Sequence, residues 1–421
     1  MRNNMKSIEY GNLLINFTST FSSKWNYWGS GSVHKICFWR PLPDTPNTLG
    51  YFPLGDLASS DNLDTNKRTI VAIVQEADPE SEETRLKGKA LCPPTDFERI
   101  WTDSGSDSLR NCTLWRPMPP AGYVALGLVC ETGFDKPSID CMRCVREDLV
   151  MAAAVGDWLW NDKGSGMKTD FSAWSIQPQA ATQGEVSFCA GTFVGTDSYT
   201  KPTRHPCAYG LKVHIPLKLG APPPAPLLQG YAQPSVYETD TVRYTSQMAW
   251  FTVKDPDLSP IQQLQNSPTY TLQRTDRYVL VGFGHNQTSV EQSFKWATVH
   301  GAHGNQSRTF THTTAIDIGT EWQVGSPASS IKVSAKLSNT LSHTQTSTSG
   351  WTTSKGFEIV AKVPSRKAIA TYLIQSNYRL LRQDGTQVAD TVSYTDINSV
   401  YWSEYPPTKE CEVSCLSVLD E

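Results

Sequence analysis

The sequence predicts an all-β protein of two domains, and three observations carry that prediction. Aromatic and turn-forming residues are abundant: 13 Trp, 16 Tyr and 14 Phe favour strands, while 28 Gly and 27 Pro supply many turns. The first half repeats one Trp-bounded hairpin pattern three times. The second half holds a stretch in which apolar and polar residues alternate on both sides of a Gly-Ser-Pro turn. At 421 residues the chain exceeds one ordinary core and suits about two domains.

The repeats come first. Residues 27–55 read YWGSGSVHKICFWRPLPDTPNTLGYFPLG, residues 100–127 read IWTDSGSDSLRNCTLWRPMPPAGYVALG, and a third copy, LWNDKGSGMKTDFSAWSIQPQ, starts at 159. Each copy runs from a Trp (Trp28, Trp101, Trp160) through a Gly/Ser turn to a second Trp (Trp39, Trp115, Trp174), at spacings of 11, 14 and 14 residues. The Gly/Ser run is a hairpin turn, and the Pro after Trp-Arg in the first two copies suits a strand end. The third copy has lost Arg-Pro and keeps Trp174-Ser-Ile-Gln-Pro178. Three such units closing on one axis predict a three-fold pseudo-symmetric, β-prism-like domain over residues 1–218. Trp rings stack on sugars, so Trp28, Trp101 and Trp160, with Asp103 and Asp162 in WTDSG and WNDKG, are the candidate receptor- or glycan-binding residues. Asx-turn capping explains the two Asp without any ligand.

The pattern W-x-D-x-G-S followed by W-R-P-x-P-P-x-G-Y-x-x-L-G resembles the vacuolar-protein-sorting-sixty-two-related domain. Trp101 to Gly127 matches best, and the resemblance covers about residues 20–215. It implies a fold more than an activity.

Residues 219–234, LGAPPPAPLLQGYAQP, read as a stiff connector. The charged insert 76–90 reads as a solvated loop or short helix, and 255–265 is the one helical segment expected beyond the connector. The domain 235–421 carries strands at 275–284 and 293–299, then the two-faced hairpin, about 315–338. One strand is expected at Ile316–Val324 and the other at Ile331–Ser338, folded around Pro327-Ala328. Ile316, Ile318, Thr320, Trp322 and Val324 share a face with Ile331, Val333, Ala335 and Leu337. Asp317, Glu321, Gln323, Lys332, Ser334 and Lys336 lie on the other. Pairing Trp322 with Val333 and Val324 with Ile331 keeps every apolar residue on one side, and a one-residue slip would destroy that. The Ser/Thr-rich arms, 307–314 and 339–354, are expected to be β-competent. In this register His312 falls opposite His343, and two protonated His would repel.

Ser/Thr arms around an amphipathic hairpin, with an exit through Val363-Pro364, resemble the aerolysin-like β-pore-forming toxins of the epsilon-toxin and mosquitocidal-toxin branch, over about residues 228–400. The resemblance implies an elongated β-sheet domain and a soluble monomer that binds a membrane, oligomerises and inserts the hairpin. The first face would then meet lipid and the second a water-filled lumen. It also suggests an activation step by an activating protease, with loss of the tail after about Val388, including Cys411 and Cys415.

Other classes fit less well. A net charge of −4 argues against broad nucleic-acid binding. No G-x-S-x-G, P-loop or H-E-x-x-H pattern is present, so no enzyme is expected. Cys141 and Cys144 form a C-x-x-C without a second pair, so neither a metal nor a cofactor is expected, and the ten Cys read as buried thiols or a few disulfides. No standard secretion signal opens the sequence, and the Asn-X-Ser/Thr matches at Asn16, Asn111, Asn286 and Asn305 carry no weight. The expected function is a β-barrel pore-forming toxin released from its producer. Its partners would be a target-cell membrane, a glycan or glycosylated receptor, and further copies of itself. The alternative is a non-lytic glycan-binding, lectin-like protein.

Overall fold

A computed structural model of the chain describes residues 7–27, 32–43, 48–60, 63–105, 110–203, 208–235, 239–302, 304–326, 329–342, 351 and 354–407. The fold is all-β, with antiparallel sheets and a few short helices.

The first half consists of three like units. In each, a first strand (Phe21–Asn26, Asp96–Thr102, Val150–Asn161) pairs with a second (Cys37–Pro41, Cys112–Met118, Ser172–Gln177). The second pairs with a third (Leu57–Ser59, Val129–Thr132, Phe193–Thr196). The hairpins close on equivalent backbone bonds: Tyr27 N–H to Ile36 O at 3.1 Å, Asp103 to Cys112 at 3.1 Å, Asp162 to Phe171 at 3.2 Å.

Three indoles fill the pseudo-three-fold axis. Trp25, Trp101 and Trp160 are buried, with ring centroids 5.7–6.2 Å apart and edges turned to faces. The axial Trp of the first unit is therefore Trp25; Trp28 lies outside the described residues. Counted from Trp25, the spacing to the second Trp is 14 residues in all three units.

The two Asp link the units. Asp103 accepts the Trp25 indole N–H at 3.0 Å and the Cys112 N–H at 2.8 Å. Asp162 accepts the Trp101 indole at 2.8 Å and the Phe171 N–H at 3.0 Å. The first unit has Tyr27 at this position, and the Trp160 indole turns to the His34 carbonyl at 2.9 Å. Trp101, Asp103, Trp160 and Asp162 are thus interior groups with polar atoms engaged, and they present no surface to a sugar. Burial selects them, because a buried indole N–H needs an acceptor.

The second half is an elongated seven-stranded sheet in the order Leu217–Leu219, Thr241–Ala249, Thr269–His285, Ala368–Leu381, Val392–Tyr405, Gln292–Ala302, Lys355–Val363. Its longest strand has 17 residues, roughly 55 Å at the usual rise. Among the described residues, Gln292–Ala302 pairs with Val392–Tyr405 only through Gly301 and Ala302, then leaves with Lys355–Val363 as a ribbon. Phe294 and Trp296 of the ribbon lie over Gly284 and Gly282, where a Cβ would sit 2.7 and 2.2 Å from the rings. The Pro-rich segment lies on this sheet instead of spanning a gap. Leu228 is buried among Ala368, Ala370 and Tyr372, and its N–H bonds Ser403 Oγ at 2.8 Å.

Smaller expectations resolve similarly. A helix forms at Glu82–Lys87 in the charged insert, and another at Pro260–Asn266 starts on a Ser259/Gln262 capping box. Cys92, Cys112, Cys130, Cys141, Cys144 and Cys189 are thiols. Val392–Tyr405 has partners on both sides, so a cut after Val388 would remove an interior strand. Cys411 and Cys415 lie outside the described residues.

Candidate functional site

The hairpin comes from the second half of the sequence and pairs with the first. Ser329–Lys336 runs antiparallel to Glu185–Phe188 of the third unit, with Glu185 opposite Lys336 and Phe188 opposite Val333. Together with Trp322–Ser326 it adds two strands to that unit's sheet and covers an edge that would otherwise be open.

The register differs from the expected one. Ser326 faces Ser329 as the fold point requires, but an irregularity at Gly325/Ser326 then sets Val324 opposite Val333 and Trp322 opposite Ala335. The change is two residues, so every side chain keeps its face. The first strand is also shorter than expected. Asp317 Oδ1 accepts the Gly319 and Thr320 N–H groups at 2.9 and 3.1 Å, bending the chain before Trp322. Gly319 lies against Trp351, whose ring would be 2.3 Å from an added Cβ. The arm expected as strand at 307–314 is helical, Gly304–Thr314, because Phe310 and Thr314 bury one face and Thr314 Oγ1 bonds the Phe310 carbonyl at 2.8 Å. His312 is exposed on this helix, not in a strand, and His343 lies outside the described residues.

The apolar face is sealed. Ile316, Ile318, Trp322, Ile331, Val333, Ala335 and Leu337 are at most 5 % exposed within the main core, and Thr320 and Val324 are half-buried. The Trp322 indole donates to the Thr252 carbonyl at 2.9 Å. At about 1.5–3 kcal/mol for each large side chain, this face stabilises the docked state by on the order of 10 kcal/mol.

The opposite face is held by polar contacts, buried at Ser334 and near solvent at Lys332. Ser334 Oγ donates to Glu321 and accepts the Ala181 N–H at 2.9 Å. Gln323 is exposed and Lys336 is half-buried. Lys332 Nζ reaches Asp157 Oδ2 at 2.7 Å, Ser175 Oγ at 3.0 Å and Gln177 Oε1 at 3.4 Å. Ser175 holds the position of Arg40 and Arg116 in the first two units, directly after the second Trp. The third unit has lost its arginine, and the hairpin supplies the cation. Hydrogen bonding from Lys332, then its charge, holds the Asp157 carboxyl below the usual carboxylate range.

The far end of the segment is anchored more firmly. The Leu341 carbonyl accepts from buried Arg274 Nη1 at 3.3 Å and from Tyr378 Oη at 2.7 Å, while Arg274 Nε holds Asp276 at 2.8 Å. Neither Asp157 nor Arg274 was singled out from the sequence. The missing arginine in WSI was the available sign for the former, and no local pattern marks the latter. Among the described residues no cluster of His, Cys, Asp and Glu could hold a metal ion, and no helix is long and apolar enough to cross a membrane.

No curated protein matches the chain. Among solved structures, GNIP1Aa from Chromobacterium piscinae is 22% identical with a TM-score of 0.39, over 48% of this chain and 37% of its own. The chain thus spans little more than a third of that protein's length. Cry35Ab1 is 10% identical with a TM-score of 0.31, over 95% of this chain and 91% of its own. Residues 3–258, more than half of the chain, match the family model described as Vacuolar protein sorting-associated protein 62. The chain belongs to the Vps62 family.

Proposed function

We propose that this protein is a β-barrel pore former. Its three-unit head binds a target-cell surface, copies assemble there, and the segment around residues 315–338 leaves the head to insert as a strand pair. The supporting observation is the asymmetry of the docked hairpin: an apolar face whose large side chains are mostly in the core, and a polar face whose Lys332–Asp157 contact lies beside solvent. Lipid can rebury the apolar face, so the stabilisation of about 10 kcal/mol is recovered after transfer. The contacts to the third unit are not recovered.

Insertion also requires extension. The strands Trp322–Ser326 and Ser329–Lys336 have 5 and 8 residues, and spanning takes about 9–11. The bend at Ile316–Glu321 must straighten, and the helix Gly304–Thr314 is the next to unwind. Unpaired edges are not tolerated in lipid, so several copies must close one barrel. No catalytic step and no cut after Val388 belongs to this reading.

The test is dye release from vesicles of target-cell lipids, with pull-down of the same vesicles. Binding with leakage supports the proposal. Binding without leakage, with or without brief trypsin treatment, overturns it and leaves a non-lytic binding protein. Ile318→Lys is a poor probe, because Ile318 is already in the core and a buried lysine would unfold the monomer.

A further inference from the structure

The first junction between units is filled with charge, and the second is open. Arg40 bonds Asp56 through Nε at 3.0 Å and Nη2 at 3.1 Å, the Cys130 carbonyl at 2.7 Å and Glu131 at 2.9 Å. Lys24 joins Glu131 at 2.8 Å. Arg40 and Asp56 are both buried.

The pseudo-symmetry identifies the same positions one unit on. Asp56 N–H bonds Leu128 O at 2.8 Å, and Leu128 N–H bonds Phe193 O at 3.1 Å. The second Trp faces Leu57, Val129 and Val194 in the three units. Arg116 therefore stands for Arg40, Ile100 for Lys24, Leu128 for Asp56, Gly195 for Cys130 and Thr196 for Glu131. The second junction keeps the arginine and has lost both carboxylates and the lysine. All five of these residues line a cleft of about 910 Å³. Arg116 turns instead across its own hairpin to Glu98 at 2.7 Å, and both side chains are about half exposed, 48% and 55%. An exposed pair of this kind exchanges readily.

We propose that this cleft binds a carboxylate-bearing saccharide, whose carboxylate takes beside Arg116 the place that Asp56 and Glu131 take beside Arg40. The guanidinium fork suits a carboxylate. Among the described residues the lining carries Arg99, Arg116 and Lys201 against Glu98, Glu147 and Asp197, so their net charge favours neither sign. The preference comes from the vacated acid positions. Tyr123, Tyr209 and the many polar side chains suit hydroxyl-rich rings, and the volume falls within the usual range of small-ligand sites. This deepens the reading of the head as the surface-binding part and rests on it.

The experiment is calorimetric titration of the full chain with a glucuronate-terminated disaccharide and with its neutral, glucose-terminated counterpart, at fixed salt. The acid is expected to bind at least tenfold more tightly than the neutral sugar. Arg116→Gln should lose that tenfold, and Glu98→Gln, which removes the internal competitor, should gain severalfold. Both side chains are exposed enough for the variants to fold, which circular dichroism checks. Equal binding of the two sugars, or an unchanged Arg116→Gln, overturns the proposal. Binding of a glutamate-bearing peptide in place of either sugar overturns it in favour of a protein ligand. Leakage by the wild type on vesicles of target-cell lipids, measured alongside, separates the two readings: vesicle binding without leakage contradicts pore formation and leaves the cleft untouched.

Discussion

Lys332 of the hairpin and Asp157 of the third unit form a 2.7 Å ion pair at the position where the first two units carry their own arginine. Asp157 is 83% exposed and Lys332 29%, so the pair is worth at most about 1 kcal/mol. The apolar face contributes far more to docking, but in the proposed transfer lipid would restore that contribution. On that proposal the pair acts on the rate of release more than on the final state. Lys332→Met and Asp157→Asn should each speed vesicle leakage, up to about fivefold. The double variant should be no faster than the faster single one, and additive effects would show that the two residues do not act through each other.

The same pair sets a pH dependence. Asp157 has a depressed folded pKa, held down by Lys332. Its contribution is present above the unfolded value of about 3.9 and is lost as pH falls through the lower, folded value. The difference in leakage rate between wild type and Asp157→Asn should stay constant from neutral pH to about pH 4 and close below it. A gap that closes near pH 6 would point to a histidine instead.

The axis of the head makes a stability prediction. Asp162 accepts the Trp101 indole and the Phe171 N–H in the interior. Asp162→Ala leaves two buried donors unsatisfied, at about 1–3 kcal/mol each. Urea unfolding should show a loss of about 2–6 kcal/mol. A change under 1 kcal/mol would mean that water reaches the axis.

The ribbon Gln292–Ala302/Lys355–Val363 rests on two glycines. Gly282→Val puts a branched side chain where the Trp296 ring lies, and overpacking of this kind costs about 1–3 kcal/mol. The urea midpoint should fall, and trypsin should cut at Lys295 faster than in the wild type. Equal cutting would show that the ring has room to move.

Much of this was legible in the sequence, and what was not has physical reasons. The β class and the three-fold repeat follow from aromatic spacing and turn residues. The two faces of residues 316–337 also survive, because a two-residue change of register preserves alternation. The axial Trp25 was not singled out, although the constant 14-residue spacing to the second Trp favoured it. Trp101, Asp103, Trp160 and Asp162 looked like ligand groups because the residues that stack on sugars also fill an axis. The helix Gly304–Thr314 replaced an expected strand because burial of Phe310 decides it, and local Ser/Thr content does not. The docking of the hairpin on Glu185–Phe188 joins segments about 150 residues apart, and no local pattern encodes such a pairing.

The central claim is that the hairpin must leave the third unit for the membrane to leak. Glu185 and Lys336 are directly paired across that junction, and both are half-buried. Cross-strand Cα separations of about 4.5–5.5 Å accept a disulfide. Glu185→Cys/Lys336→Cys, oxidised and then reduced, should be compared on vesicles with wild type treated identically. The prediction is no leakage while the bond is closed and wild-type leakage after reduction. Full leakage by the oxidised protein, with the crosslink verified by mass spectrometry, would contradict it.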